Sequence, residues 1–290
     1  MGAATKHKQA LLKTNPNCIF CGGAALATTV EHCPPRALFQ NRQWPEGFEF
    51  AACHGCNGGT SNEDLLLSML ARMNPFDDSS DSDGKTEGIV RRVVKQFPGI
   101  FSRMELSAAE ARRNNRKLGI TPTPGQLHQE AGVVRVPPEM TNAVCTFSSK
   151  LAKAVYFLHS QRIFPVEGCL LLHWFTNVHL YEKGHYPMLK QMEHFDGLVP
   201  DLVRTGRHLN DQFSYKLTMD RTHEVFALQT VFGKAFGTVV FGSREPGKLE
   251  ATFAELKRKF PNKPEPFSVL QSSVLPVTRT TPETAPYTAA

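Results

Sequence analysis

Cys18-Ile19-Phe20-Cys21-Gly22-Gly23 and, further along, Cys53-His54-Gly55-Cys56-Asn57 are the stretches that decide the N-terminal fold. In each C-x-x-C the two thiols can grip one side of a tetrahedral ion, and two such knuckles complete a four-thiolate shell closed to water. Gly22, Gly23 and Gly55 suit the tight turns that knuckles need. The chain has 7 cysteines, an odd number, and Cys33, Cys145 and Cys169 lie outside the pairs. Its start, Met1-Gly2-Ala3-Ala4-Thr5-Lys6, lacks an apolar export signal, so a cytoplasmic protein with a metal site is expected rather than a disulfide framework. The reading is one structural Zn2+ on Cys18, Cys21, Cys53 and Cys56.

The insert between the pairs carries the chemistry. Thr28-Thr29-Val30 is a β-branched run, which predicts a short strand. It delivers Glu31-His32, followed by Cys33-Pro34-Pro35, with Cys33 read as a small packed residue. Trp44-Pro45-Glu46-Gly47-Phe48 reads as a loop and hairpin turn. Asn57 directly follows the last cysteine. Ser61-Asn62-Glu63-Asp64 then resembles a capping box with Asp in place of Glu, opening a helix over the apolar residues 65–70 that ends before Asn74-Pro75.

Taken together, C-x-x-C, Glu-His and C-x-x-C-Asn resemble the HNH (ββα-metal) endonuclease superfamily, most closely its zinc-stapled, endonuclease VII-like branch. The resemblance covers residues 15–75. It implies a β-hairpin and helix tied by zinc, His32 as general base, and a catalytic Mg2+ or Mn2+ on Glu31 and Asn57. Glu31 stands where the family usually has Asp, and Asn62 or Glu63 could replace Asn57 as the helical ligand. The resemblance further implies an enzyme that hydrolyses phosphodiester bonds of DNA. An RNA- or junction-directed nuclease and a non-catalytic zinc-binding nucleic-acid module are the alternatives. Elementary chemistry agrees with a nuclease: hydrolysis needs an activated water, and a histidine titrates near neutrality. His54, inside a knuckle, is expected to face solvent. Arg36 and Arg42 are as apt to clamp phosphate as to lie on an ordinary surface.

The rest of the chain predicts a separate α+β domain. The expected boundaries are 1–76 for the HNH module, 77–88 for an acidic linker, 89–270 for the second domain and 271–290 for a disordered tail. Amphipathic helices are predicted over 89–97 and from Ser107 to Lys117, with Gly119 as a stop, and a further helix over 143–162. Strands are predicted at 169–176, 213–217, 224–228 and 236–241. Lys150, Lys153, Arg162 and Lys190 are read as a basic surface, and His159, His173, His179, His185 and His194 as edge or surface histidines. Between Gly88 and Leu118 eight cations face two carboxylates, a balance equal to the +6 of the whole chain. Clustered cations suit a polyanion, because binding releases its condensed counterions. With 41% hydrophobic and 21% charged residues and no long apolar run, no membrane partner is expected, and the partner is DNA, with RNA as the alternative. One such module makes one cut, so double-strand cleavage would call for a homodimer.

Overall fold

A hairpin forms around Glu31-His32. Strand β1 (Thr29–His32) runs antiparallel to β2 (Glu49–Ala52), pairing Glu31 with Phe50 and His32 with Glu49. Successive strand residues point to opposite faces. Glu31 is therefore buried on the inner face, whereas His32 is only partly covered. The structure is a computed structural model and describes residues 3–73, 83–131, 133–249, 251, 254, 258 and 268–271.

Helix α1 (Ala3–Thr14) precedes the hairpin, and α2 (His54–Gly58) and α3 (Ser61–Leu70) follow it. Cys53 caps α2, its sulfur accepting the Cys56 N–H at 3.4 Å. The capping box expected from Ser61 and Asp64 is not made. Thr60 is the N-cap without a side-chain cap bond, and Ser61 is already helical.

Helix α4 (Thr86–Gln96) begins inside the span expected to be linker, and the acidic residues 77–82 lie outside the described residues. After α5 (Ile100–Met104), α6 (Ala108–Leu118) has the start and stop that its sequence indicates. Ser107 and Glu110 form a capping box, and Gly119 closes the helix with φ 68°. Helix α7 (Pro138–Ser160) is 23 residues long, opening at a proline whose missing N–H costs nothing in a first turn.

The C-terminal half contributes β3 (Cys169–Thr176), α8 (Val178–Lys183), α9 (Pro187–Gln191), the hairpin β4 (Val203–Arg204) and β5 (Arg207–His208), then β6 (Ser214–Met219), β7 (Val225–Phe232), β8 (Phe236–Ser243) and β9 (Ser268–Gln271). Five strands form an antiparallel sheet in the order β6-β7-β8-β3-β9, one more than the sequence predicts. The tail expected from 271 lies, beyond Gln271, outside the described residues. The fold is mixed α+β.

The expected N-terminal module and second domain pack against each other. One continuous apolar cluster runs from Cys18, Phe20 and Phe50 through Leu66 and Leu67 to Leu151, Val155, Phe226 and Val240. Helix α7 lies between, touching α3 on one side and β3 and β8 on the other. Leu66, Leu67, Met69 and Leu70 are all buried, too many apolar side chains in one turn and a half for the N-terminal unit to cover alone. Among the described residues no helix is long and apolar enough to cross a membrane.

Candidate functional site

The four cysteines of the two knuckles converge. The sulfurs of Cys18, Cys21, Cys53 and Cys56 all lie within 4.8 Å of one another, close enough to hold one metal ion such as zinc. Gly22 and Gly23 turn the first knuckle with φ of 64° and 82°. The N–H of Ile19 donates to Ala51 O and that of Thr28 to Ala52 O, which fastens the knuckle to β2. Burial raises the Cys21 thiol, whereas the Cys56 side chain holds Cys18 down at about 4. Four thiolates on a divalent ion leave a net charge of −2, which a buried site must balance. Lys153 of α7 supplies the counter-charge: it is 4% exposed and its Nζ donates to Phe20 O at 3.0 Å. Burial lowers its pKa to about 8, against the pull of the cysteines. His54 is exposed and Cys33 is buried, both as expected.

Glu31 meets a partner that its neighbourhood in sequence does not reveal. Lys150 Nζ lies 2.5 Å from its Oε1 and also donates to Thr60 Oγ1 at 2.8 Å. Lys150 and Lys153, three residues apart, share the face of α7 turned to the N-terminal unit, and their expected place on a basic surface is corrected. Asp64 joins the cluster. Burial raises its pKa to about 7, with Lys150 opposing and the Glu31 carboxylate adding to the rise. Glu31 is likewise pushed up by burial, with Lys150 opposing.

Asn57 acts as a clasp. Its Nδ2 donates to Thr29 Oγ1 at 2.9 Å and to Val30 O at 3.1 Å, tying α2 to β1. These residues do not fit a Mg2+ or Mn2+ site. A divalent ion on Glu31 would face the Lys150 ammonium at contact range, and the carboxylate is 5% exposed. The metal-ligand role expected for Glu31 and Asn57 thus finds no support in this geometry. Asn62 is exposed and Glu63 half-buried, and no bond among the described residues joins either to this cluster.

His32 lies on the other face of the hairpin. Its Nε2 is 3.1 Å from Glu49 Oε1, and the second oxygen of Glu49 is 2.7 Å from His7 Nε2 of α1. With the Nε2 proton on the carboxylate, Nδ1 is the basic nitrogen. Burial lowers the His32 pKa, and Arg36 and Arg204 lower it further against the pull of Glu49, which favours the neutral ring. Its edge meets the Trp44 ring, with centroids 4.6 Å apart at 87°. Two guanidiniums cover the same indole, Arg204 at 3.9 Å and Arg36 at 5.0 Å from its centroid. Arg204 is placed by docking of the β4–β5 hairpin on the Trp44–Gly47 turn: Glu46 N–H donates to Val203 O, and Thr205 N–H to Glu46 Oε1 at 2.8 Å. A neutral, oriented imidazole beside two cations can take a proton from water next to a bound anion.

Reading the sequence alone singled out His32 and the cysteines but missed Glu49, Lys150, Lys153, Asp64 and Arg204. A signal existed for the lysines, since Lys150 and Lys153 are the only charged residues in the stretch from Phe147 to Tyr156. Arg204 has no such signal. No family model, curated protein or solved structure matches this chain.

Proposed function

We propose that the β1–β2–α2 unit is a zinc-stapled ββα-metal module of the HNH type and that the protein is an endonuclease hydrolysing phosphodiester bonds of DNA, with His32 as general base. The observation that carries this reading is the His32–Glu49 dyad set against the Arg36–Trp44–Arg204 stack on a four-cysteine hairpin. In the reaction, Nδ1 of His32 takes a proton from water as the oxygen attacks phosphorus. The new P–O bond forms, the P–O3′ bond breaks, and the 3′-oxygen leaves with a proton from solvent. Charge gathering on the phosphoryl oxygens is met by Arg36 and Arg204. Glu49 orients the ring and stabilises the imidazolium, as a carboxylate partner does for a histidine base. No step passes through Glu31 or Asn57.

A second reading, a non-catalytic zinc-bound nucleic-acid module, is favoured by the structural use of Glu31 and Asn57. One experiment separates the two. Supercoiled plasmid is incubated with wild type, His32→Ala and Glu49→Gln, with Mg2+, with Mn2+ and with chelator. The nuclease reading expects nicking that falls by about 10²–10⁴-fold in His32→Ala. Equal nicking by both proteins removes His32 from the mechanism. DNA binding without nicking by wild type establishes the second reading. Cleavage of an RNA substrate in place of the plasmid reassigns the target.

A further inference from the structure

Beside the site, on the far side of the 3-10 turn that carries Arg36 (Arg36–Leu38), lies a cavity of about 470 Å³. Arg42, Arg72, Lys85 and Arg92 line it, with Ala37 and Gly88 among the small residues of its wall. Among the described residues the carboxylate that pairs with these cations is Asp83, whose side chain is 0% exposed. Asp83 is saturated: it accepts from Arg72 Nη2 at 3.2 Å and from the N–H groups of Asn41 and Lys85, with the Lys85 ammonium 3.7 Å away. Arg42 and Arg92 have no ion-pair partner among the described residues.

One of the lining cations is itself buried. The Arg72 side chain is 5% exposed. Its Nη1 donates to Ala37 O at 3.0 Å and its Nη2 to Asp83, and among the described residues its Nε has no acceptor. The guanidiniums that line the cavity are fixed forks of N–H donors, and an anion oxygen is what such a donor takes best. Among the described residues, four cations meet one spent carboxylate there. Gly88 also adds nothing to fill the space, since a Cβ there would meet no atom within 4 Å.

We infer that this cavity binds a phosphate group. Ala37 lines it and Arg36 covers Trp44 beside His32, so one short turn separates the two places. Resting on the nuclease reading above, the ligand is a backbone phosphate of the nucleic acid whose neighbouring linkage lies at His32. A free phosphate ester is the other source of the same chemistry, and the test distinguishes them.

Binding is measured on the His32→Ala protein, which does not turn substrate over, with a fluorescein-labelled DNA duplex across a salt series. Arg42→Gln and Arg92→Gln, both at exposed positions, should each weaken binding about three- to tenfold at 0.1 M salt and reduce the salt slope by about one. Arg221→Gln, exposed in the turn between β6 and β7 and not among the residues that line the cavity, should leave both unchanged. Calorimetry with inorganic pyrophosphate forms the second arm. If DNA binds but neither cavity variant weakens it, or Arg221→Gln weakens it equally, the inference is overturned. If DNA does not bind but pyrophosphate binds and Arg92→Gln abolishes that, the nuclease reading fails and the cavity stands as a site for a soluble phosphate ester. If neither ligand binds, both fail.

Discussion

Lys150 joins helix α7 to the hairpin through one charge, and removing that charge leaves Glu31 buried and unpaired. Breaking a buried pair from one side costs about 3–5 kcal/mol, whereas replacing both partners by apolar groups of similar volume is often close to neutral. Lys150→Ala is thus expected to lose about 3–5 kcal/mol in urea unfolding. The double variant Glu31→Leu, Lys150→Met should recover most of that loss, and failure to recover would mean that Lys150 matters for something besides Glu31. Asp64 makes a separate prediction. Its pKa of about 7, against an ordinary 3.8, means that the native state holds the proton more tightly than the unfolded chain does. The sign follows: this group's contribution is full at low pH and is lost as pH rises from about 4 to 7. Asp64→Asn should therefore gain on wild type by roughly 2–4 kcal/mol between pH 5 and pH 8. A constant difference across that range would show that Asp64 is ionised throughout. For His32, burial, Arg36 and Arg204 hold the pKa below the usual 6.5, so nicking should be level above that pH and fall in acid, where the base is protonated. Arg36→Gln should move the acid limb of the pH–rate profile to higher pH.

At the scale of elements, the five-stranded sheet depends on two glycines of β8. Gly237 pairs with Phe175 of β3 and Gly242 with Phe226 of β7, and each ring lies across the glycine opposite. A Cβ at Gly237 would come 2.4 Å from Phe175, and one at Gly242 2.0 Å from Phe226. Neither glycine needs an unusual backbone angle, so the requirement is for space. Gly242→Ala should cost about 1–3 kcal/mol as overpacking, read by thermal unfolding. Gly242→Ala with Phe226→Leu should do better than Gly242→Ala alone if the clash is the cause. Helix boundaries were legible wherever capping is local. Ser107, Glu110 and Gly119 delimit α6, because a cap is decided within four residues. The start of α3 was misread for a complementary reason. Asp64 lies three residues after Ser61, as a capping box requires, but its carboxyl is buried near the Glu31–Lys150 pair and Thr60, not Ser61, is the N-cap.

The whole molecule is expected to answer as one unit, since the apolar cluster is continuous from the knuckles to the sheet. At Gly22 a Cβ would lie 2.4 Å from Val166, so the first knuckle is packed directly against the segment leading into β3. Removing the metal with a chelator should therefore disturb both halves. Far-UV and near-UV circular dichroism are expected to report a single coincident thermal transition in the metal-loaded protein, moved to lower temperature after chelation. Two separate transitions, with only one moved by the chelator, would restore the division into a module and an independent domain.

What the sequence determined by itself was local: the two knuckles, the strand carrying Glu31-His32, and the helices α4 and α6. Each follows from spacings of a few residues, where periodicity, turn chemistry and ligand geometry act directly. Only the tertiary structure decided what those residues face. Lys150 came to Glu31, Lys153 to the cysteines and Arg204 to Trp44 from more than a hundred residues away, and Glu49 reached His32 through strand register. A charged side chain reads alike in sequence whether it is solvated or buried against a counter-charge, because that outcome depends on which distant helix or hairpin the core brings alongside.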